Sequence, residues 1–159
     1  MPLLSATLIV CDRLLGEVNG VYTPVRILDL LEYDLLPDLP PERQTLPANI
    51  LAMLRFNAED DGQHTVQLGA TRPDGTEANL GDALPIDLRD IALVRPSPIK
   101  SVMVTVDLRI VPRDGIHTIR LLLDGEEVAR FAFAIARRVM TQATERESLQ
   151  AAQDTSQRS

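Results

Sequence analysis

The sequence predicts an all-β protein, a two-sheet sandwich of seven to nine antiparallel strands with a C-terminal polar tail or short helix. The first observation is a repeat: residues 61–68 return as residues 114–121 with five of the eight positions identical. The second is that five of the eight glycines follow Asp or Asn, the pairs that supply the positive φ of tight hairpin turns. The third is that apolar residues alternate with period two between these turns, which recur at the spacing of roughly 8–12 residues typical of a sandwich.

The first half of the chain is predicted to form five strands. Residues 3–11 and 19–27 come first, and Pro24 restricts the second of them to a sheet edge or a bulge, because proline lacks a backbone N–H. Strands are then predicted at residues 49–56, 64–71 and 77–80. Two proline-rich connections, 36–47 and 84–98, are longer than ordinary hairpin loops.

The second half is predicted to form a three-stranded meander. Residues 101–110 alternate, residues 117–123 do the same, and Asp124-Gly125 turns the chain into a last strand at residues 128–136. We therefore expect one sandwich domain, residues 1–137. Residues 138–159 are expected to be a polar tail, either a frayed helix or disordered.

Apolar residues also fall on the outward positions of the predicted strands, at Leu51, Met53, Met103 and Leu122. Clusters of this kind on a protein surface usually mark an interface. We expect them to be covered, either by the leucine-rich segment from Leu28 to Leu36 or by a second copy of the protein. The sequence of that segment leaves open a strand extension, one or two helical turns, or a cover.

The charge balance excludes several classes of partner. The chain carries 23 acidic and 16 basic residues, a net charge of −7. Phosphate recognition needs clustered Lys and Arg, so we do not expect nucleic acid, and an acidic protein is repelled by an anionic membrane surface. No apolar run reaches the ~18–20 residues that span a bilayer, and the first residues lack the basic start of a signal peptide. We therefore expect a cytoplasmic protein.

The only two histidines, His64 and His117, occupy the same place in each copy of the repeat. They could converge on a metal ion together with carboxylates from residues 59–61, but zinc needs three or four ligands. The alternative is structural, because each histidine follows an Asp-Gly turn at the start of a strand. In immunoglobulin-like domains a corner residue at such a place bonds back to the backbone. The structural interpretation is favoured, and no metal is predicted.

The sequence gives still less support for a catalytic thiol or serine, a calcium loop or a cofactor loop. Cys11 lies in an apolar run without a nearby base, as expected of a small buried hydrophobe. Residues 59–62 lack the alternating oxygen ligands of a calcium loop, and no serine lies in a nucleophile-elbow setting. A glycine-rich cofactor loop is also missing. We therefore predict neither a catalytic residue nor a cofactor.

The order of these motifs resembles an uncharacterised family of small prokaryotic β-sandwich proteins, a domain of unknown function. The resemblance rests on a strand ending at Asp12, a strand begun by Gly20, the hairpin at residues 62–75 and the closing hairpin at residues 115–133. It covers residues 3–136 and implies an immunoglobulin-like sandwich without established activity or catalytic residues. Residues 28–47 and the tail look like additions to that pattern.

The sequence leaves three hypotheses about function. The first is a non-catalytic protein-interaction or assembly module that binds another protein or a second copy of itself. The second is a metal-binding protein or metal-dependent enzyme that uses His64 and His117. The third is a small-ligand carrier with a pocket beneath the segment from Leu28 to Leu36.

Overall fold

The computed structural model describes residues 3–18, 20–91, 93 and 97–138, and these form ten strands. In chain order the strands are β1 (Leu3–Gly16), β2 (Tyr22–Ile27), β3 (Leu30–Tyr33), β4 (Leu46–Asn57), β5 (Gln63–Thr71), β6 (Glu77–Asn79), β7 (Leu84–Asp87), β8 (Ile99–Ile110), β9 (Gly115–Leu123) and β10 (Glu126–Arg137). Short 3-10 turns lie at Pro41–Arg43 and Leu88–Asp90. Within these residues no helix has the length and hydropathy needed to cross a membrane.

The strands form two sheets, so the predicted all-β sandwich is confirmed. The first sheet has the order β2-β1-β4-β8, and the second has the order β3-β10-β9-β5-β6, with β7 also paired to β5. Strand β2 is an edge strand, as Pro24 predicted. The pairings are antiparallel except that of β3, which runs parallel to β10.

The core lies between the inward faces of the two sheets. On β4 every second residue is buried, from Ala48 to Phe56, and on β9 the buried positions run from His117 to Leu123. This alternation is the reason the segments form strands, since it places one apolar row of each strand against the other sheet. Each fully buried Leu, Ile or Phe side chain stabilises the fold by about 1.5–3 kcal/mol relative to an exposed one.

The prediction that the last three strands form a meander was wrong in one respect. Strand β8 pairs with β4 in the first sheet, from Leu46 opposite Ile110 to Asn57 opposite Ile99, while β9 belongs to the second sheet. Residues 111–114 therefore carry the chain from one sheet to the other. Period-two alternation predicts which face of a strand is buried, but it does not predict which strand lies beside it. The β9–β10 hairpin is as expected, with φ of 53° at its turn residue Asp124.

The segment from Leu28 to Leu36 is not a cover over a sheet. Its residues 30–33 form β3, an edge strand of the second sheet, and both Leu28 and Leu31 are buried in the core. Together with β7, this strand raises the number above the predicted seven to nine. The last strand ends at Arg137. Apart from Arg138, the predicted tail lies outside the described residues.

Candidate functional site

The two histidines lie at opposite ends of the molecule. Strands β5 and β9, which carry the two copies of the repeat, are antiparallel neighbours, with Val66 opposite Leu123 and Thr71 opposite Thr118. Because each histidine lies near the start of its strand, this pairing separates His64 and His117 by roughly 25 Å at the ~3.4 Å rise of a strand residue. A single metal ion therefore cannot bind both, and the hypothesis of a shared site fails on geometry.

His64 is held between two carboxylates at one end of the sandwich. Its Nδ1 lies 2.7 Å from Oδ2 of Asp124, and its Nε2 lies 3.6 Å from Oδ2 of Asp60. The ring stacks on Phe56 from the opposite sheet, with ring centroids 5.3 Å apart. Only 11% of the His64 side chain is exposed. The bond from His64 holds the pKa of Asp124 below its usual value of 3.8, and the N–H of Thr65, a second donor to that carboxylate, adds to the effect.

Lys100 is a buried cation whose hydrogen bonds stabilise the same end of the molecule. It is 5% exposed and lies opposite Phe56 on the inward face of β8. Its Nζ donates to the carbonyl oxygen of Asp60 and to Oδ1 of Asp61, each over 2.7 Å. A buried ammonium needs such partners, because an unpaired charge in the protein interior is strongly unfavourable. The acidic residues 60 and 61 therefore serve to anchor the chain between β4 and β5.

The two ring nitrogens of His64 differ in their hydrogen bonding. Nδ1 donates to Asp124, and Nε2 is buried and faces Asp60 without a hydrogen bond. A shallow cavity of about 390 Å³ lies beside His64, lined in part by Pro85 and Asp87. Nδ1 is engaged by Asp124, and Nε2 does not reach a ligand in that cavity because it is buried. Among the described residues, no three His, Cys, Asp or Glu side chains are grouped so that they could hold a metal ion.

His117 makes the corner contact expected of it. Its Nε2 lies 2.8 Å from the carbonyl oxygen of Arg113, four residues earlier, and since a carbonyl only accepts, Nε2 carries the proton. The ring stacks on its neighbour across the strand pair, Phe133, with centroids 5.8 Å apart. His117 is 6% exposed. The two histidines thus occupy the same place in the repeat, and each stacks on a different phenylalanine, but their hydrogen bonds go to different kinds of group.

Cys11 is fully buried, as its apolar neighbours predicted. Burial raises the pKa of its thiol, and the nearby carboxylate of Asp12 raises it further. The thiol donates to the carbonyl oxygen of Arg13 over 3.2 Å. A thiol in this state is protonated at neutral pH, which is the opposite of the activation that a nucleophilic cysteine requires.

Three of the four predicted interface residues come together on the outer face of the first sheet. Met53 lies directly opposite Met103, and Leu51 follows on the same face of β4 beside Ile9 of β1. We call Ile9, Leu51, Met53 and Met103 the methionine patch. Met103 is 45% exposed, and the other three are half-buried. The fourth predicted residue, Leu122, is half-buried on the outer face of the second sheet and is not part of the patch.

The three strand rows that contain the methionine patch carry few charges. The strand register defines three outward rows across the first sheet: Ser5–Arg55–Ser101, Thr7–Met53–Met103 and Ile9–Leu51–Thr105. Arg55 is the one charged side chain in these rows, on a protein in which 25% of the residues are charged. Strand β8 forms the edge of this sheet and pairs over its full length with β4, without a bulge.

The residues that sequence analysis missed are Lys100 and Asp124. Lys100 could have been found from its spacing, because it stands two residues before Val102 and thus on the inward face of β8. Asp124 was recognised only as a turn residue. Its partner His64 is sixty residues away, and period-two alternation does not reveal such a contact.

No protein family matches the chain, and no curated protein matches it either. Among solved structures, it is similar to an alkylpurine DNA glycosylase, AlkC, of Pseudomonas fluorescens bound to DNA with an abasic site analogue, at a TM-score of 0.46 and 11% identity. That match covers 68% of this chain and 27% of the glycosylase. A β-glucosidase from Listeria innocua matches at a TM-score of 0.45 and 10% identity, over 86% of this chain and 16% of the other. The chain therefore spans only a small part of either protein, and likenesses this distant carry no argument about function.

Proposed function

We propose that this protein is a non-catalytic protein-interaction or assembly module that binds its partner through the methionine patch. The observation that carries the proposal is the pairing of Met53 with Met103 on an outward sheet face that has one charge in its three central rows. The central part of a protein interface is depleted in charged residues and enriched in methionine. Methionine also adapts its shape to different partners, because its side chain is flexible and polarisable.

The edge of the first sheet supports the same proposal. Within the described ranges, β8 pairs with β4 alone, so its second row of backbone N–H and C=O groups faces outward over the length of the strand. A long, regular edge strand is a template on which another strand can add. A partner that adds a strand there would extend the sheet and continue the face on which Met103 lies.

We infer two finer properties as part of this proposal. The sandwich is of the immunoglobulin-like type, which the corner contact of His117 with Arg113 supports. The protein works in the cytoplasm, which the free, buried thiol of Cys11 supports, because reducing compartments keep cysteines unlinked.

The test is a double substitution on the patch, Met53→Lys with Met103→Lys. Two ammonium groups there should abolish binding, because their desolvation in an interface is unfavourable, whereas in the free protein lysine can extend its charge into water. The matched control is Leu122→Lys, which places the same side chain at a half-buried outer position of the other sheet. Thermal unfolding checks that both variants keep the fold.

Two measurements compare binding by the wild type and the variants. The mass in solution is followed over a range of concentrations, and the tagged protein is used to recover partners from its own host. We expect the wild type and Leu122→Lys to self-associate or to recover a protein in stoichiometric amount, and the double variant to do neither. A wild type that is monomeric and recovers nothing contradicts the proposal, as does a folded double variant that binds as well as the wild type.

A further inference from the structure

Strand β8 forms a sheet edge that lacks the usual obstacles to strand addition. Proline, short length and bulges keep many edge strands from pairing with another chain. The strand at the other end of the same sheet, β2, contains Pro24. β8 has 12 residues, contains no proline and pairs with β4 without a bulge. Its edge is therefore able to accept another strand over most of its length.

The hydrogen-bonding groups that point outward from this edge belong to alternate residues. The N–H of Ala58 donates to the carbonyl oxygen of Pro98 over 2.9 Å, so the even-numbered residues of this ladder bond to β4. Because alternate residues of an antiparallel pair point their N–H and C=O groups to opposite sides, those of the odd-numbered residues point away from β4. At the start of the edge, Oγ of Ser97 bonds to both the N–H and the carbonyl oxygen of Ile99, each over 3.2 Å. The odd-numbered residues beyond this point are Ser101, Met103, Thr105, Asp107 and Arg109.

The same odd-numbered residues point their side chains to the outer face, where all of them are exposed. Asp107 and Arg109 carry opposite charges two positions apart. Their neighbours on β4, Asn49 and Pro47, are uncharged, and among the described residues neither Asp107 nor Arg109 has an ion pair. An added strand places one of its side chains directly opposite each charge, at the Cβ separation of about 4.5–5.5 Å at which cross-strand pairs interact. The edge thus presents a charge pattern that a partner can complement.

The inner row of β8 adds an apolar requirement. Val104, Val106 and Leu108 face the core but are only half-buried, whereas the residues opposite them on β4 are buried. The core is therefore partly open along this edge. Alternate side chains of an added strand would extend the inner face of the sheet and cover this row.

We propose that the edge of β8 binds an extended segment of a partner protein as an additional antiparallel strand. The segment has an acidic residue opposite Arg109, a basic residue two positions later opposite Asp107, and an apolar residue opposite Met103. Its intervening residues are apolar and face the row from Val104 to Leu108. In strand addition, main-chain bonds give affinity and alternate side chains give specificity. The inference rests on the proposed function, because Met103 belongs to both the methionine patch and this edge.

The probe is a fluorescently labelled peptide, Glu-Val-Lys-Val-Thr-Val-Leu-Thr-Ser, whose residues in this order lie opposite residues 109 to 101. Its control exchanges the glutamate and the lysine. We expect the full-length wild type to bind the probe about tenfold more tightly than the control, because both charge pairs become repulsive in the control. Equal binding of the two peptides contradicts the proposal.

A charge exchange in the protein should reverse this preference. Asp107→Arg combined with Arg109→Asp alters only exposed side chains, and thermal unfolding checks that the fold is kept. This variant should bind the control peptide more tightly than the probe. Arg55→Asp lies on the same outer face but not on the edge, so it should preserve the wild-type preference. An unreversed preference in the charge-exchanged variant overturns the proposal.

Amide hydrogen exchange locates the bound peptide. The outward N–H groups of Met103, Thr105 and Asp107 should exchange quickly in the free protein and slowly with the probe, whereas those of Val104 and Val106 bond to β4 in both states. Methylation of the peptide nitrogens at the third and fifth positions, which face β8, should abolish this protection. Methylation at the fourth and sixth positions, which face away, should preserve it. Protection elsewhere, or the same effect of both methylations, contradicts strand addition at β8.

Recovery of partners from the host separates this inference from the proposed function. A partner that is lost with Met53→Lys and Met103→Lys, but fully retained with Asp107→Arg and Arg109→Asp, supports the methionine patch and overturns the inference about the edge. Loss of the partner in both variants supports both. If the wild type recovers nothing, the proposed function fails, and the peptide preference alone decides whether the edge binds such a strand. If the protein alone doubles in mass and its outward β8 amides are already protected, a second copy occupies the edge, and the inference is wrong.

Discussion

The carboxylate of Asp124 joins the tip of the β9–β10 hairpin to the start of β5. Its Oδ2 accepts Nδ1–H of His64 over 2.7 Å, and its Oδ1 accepts the backbone N–H of Thr65 over 2.8 Å. The backbone N–H of Asp124 in turn donates to the carbonyl oxygen of Thr65. Asp124 reaches this position because it adopts φ of 53°, which Asp and Asn tolerate better than other side chains.

Substitution of Asp124 should destabilise the protein by an amount that depends on the side chain that replaces it. Asp124→Asn keeps the left-handed backbone and one acceptor, so we expect a loss of about 1 kcal/mol in the free energy of unfolding. Asp124→Ala removes both acceptors and adds about 1 kcal/mol of backbone strain, so its loss should be about 2–3 kcal/mol. Urea unfolding measures both values. Equal stability of the two variants would show that the side chain of Asp124 contributes nothing beyond its charge.

The hydrogen bond between His64 and Asp124 also makes the free energy of unfolding depend on pH. The bond from His64 lowers the pKa of Asp124 below its usual 3.8. A carboxylate whose pKa is depressed in the folded state stabilises the fold above its unfolded pKa, and the effect is lost as the pH falls through the folded pKa. We therefore expect the full stability difference between the wild type and Asp124→Asn at pH 5 and a smaller one at pH 2.5.

Urea unfolding at both pH values gives this difference, with Asp38→Asn on an exposed connection as the control for general acid effects. The control should show the same small difference at each pH. If the difference for Asp124→Asn is as large at pH 2.5 as at pH 5, the pair with His64 does not lower the pKa of Asp124.

The repeat shows both the strength and the limit of reasoning from the sequence. It predicted that residues 61–68 and 114–121 each form a turn followed by a strand, and β5 and β9 confirm the two strands. The predicted turn at Asp61-Gly62 was wrong, because Gly62 does not adopt the positive φ that Gly115 has. It did not predict that the two strands lie side by side in opposite directions. Local turn chemistry and side-chain alternation depend on neighbours in sequence, whereas strand order depends on which apolar faces meet after collapse. The separation of His64 from His117 follows from that order.

The residues of the candidate interface could be predicted because side-chain alternation depends only on neighbours in sequence. Outward positions can be counted along each strand, so Leu51, Met53 and Met103 were found, together with Leu122. Their grouping needed the register between β4 and β8, which placed Leu122 on the other sheet. The parallel pairing of β3 with β10 was beyond prediction, since a four-residue strand has too few residues to show a clear period.

Substitution of Lys100 should destabilise the protein more than substitution of most other polar residues. Lys100→Met removes the donor to the carbonyl oxygen of Asp60, and we expect a loss of about 2 kcal/mol in the free energy of unfolding. The exposed side chain of Asp61 remains hydrated, which limits the loss. Arg130→Met is the control, because it breaks the exposed pair with Glu127 and should leave the free energy of unfolding nearly unchanged. Chemical denaturation compares the two, and similar losses in both would mean that burial of Lys100 adds nothing to its bonds.

Gly115, the second glycine of the repeat, should not tolerate a side chain. It begins β9 with φ of 124°, a conformation that other residues rarely adopt, and a Cβ there would lie 2.8 Å from Cβ of Pro73. Gly115→Ala therefore combines backbone strain with a clash against a rigid ring, and we expect it to cost about 2–4 kcal/mol. Gly16→Ala is the control, because its Cβ would meet only Tyr22 at an ordinary 3.8 Å.

The midpoint of urea unfolding measures both glycine variants. Gly16→Ala should leave it nearly unchanged or raise it slightly, because alanine restricts the unfolded chain more than glycine does. Gly115→Ala should lower it clearly, and should lower it by less in a Pro73→Gly background, which lacks both the Cβ and the Cγ that the new methyl group would meet. If Gly115→Ala unfolds at the same midpoint as Gly16→Ala, the turn that opens β9 does not require glycine.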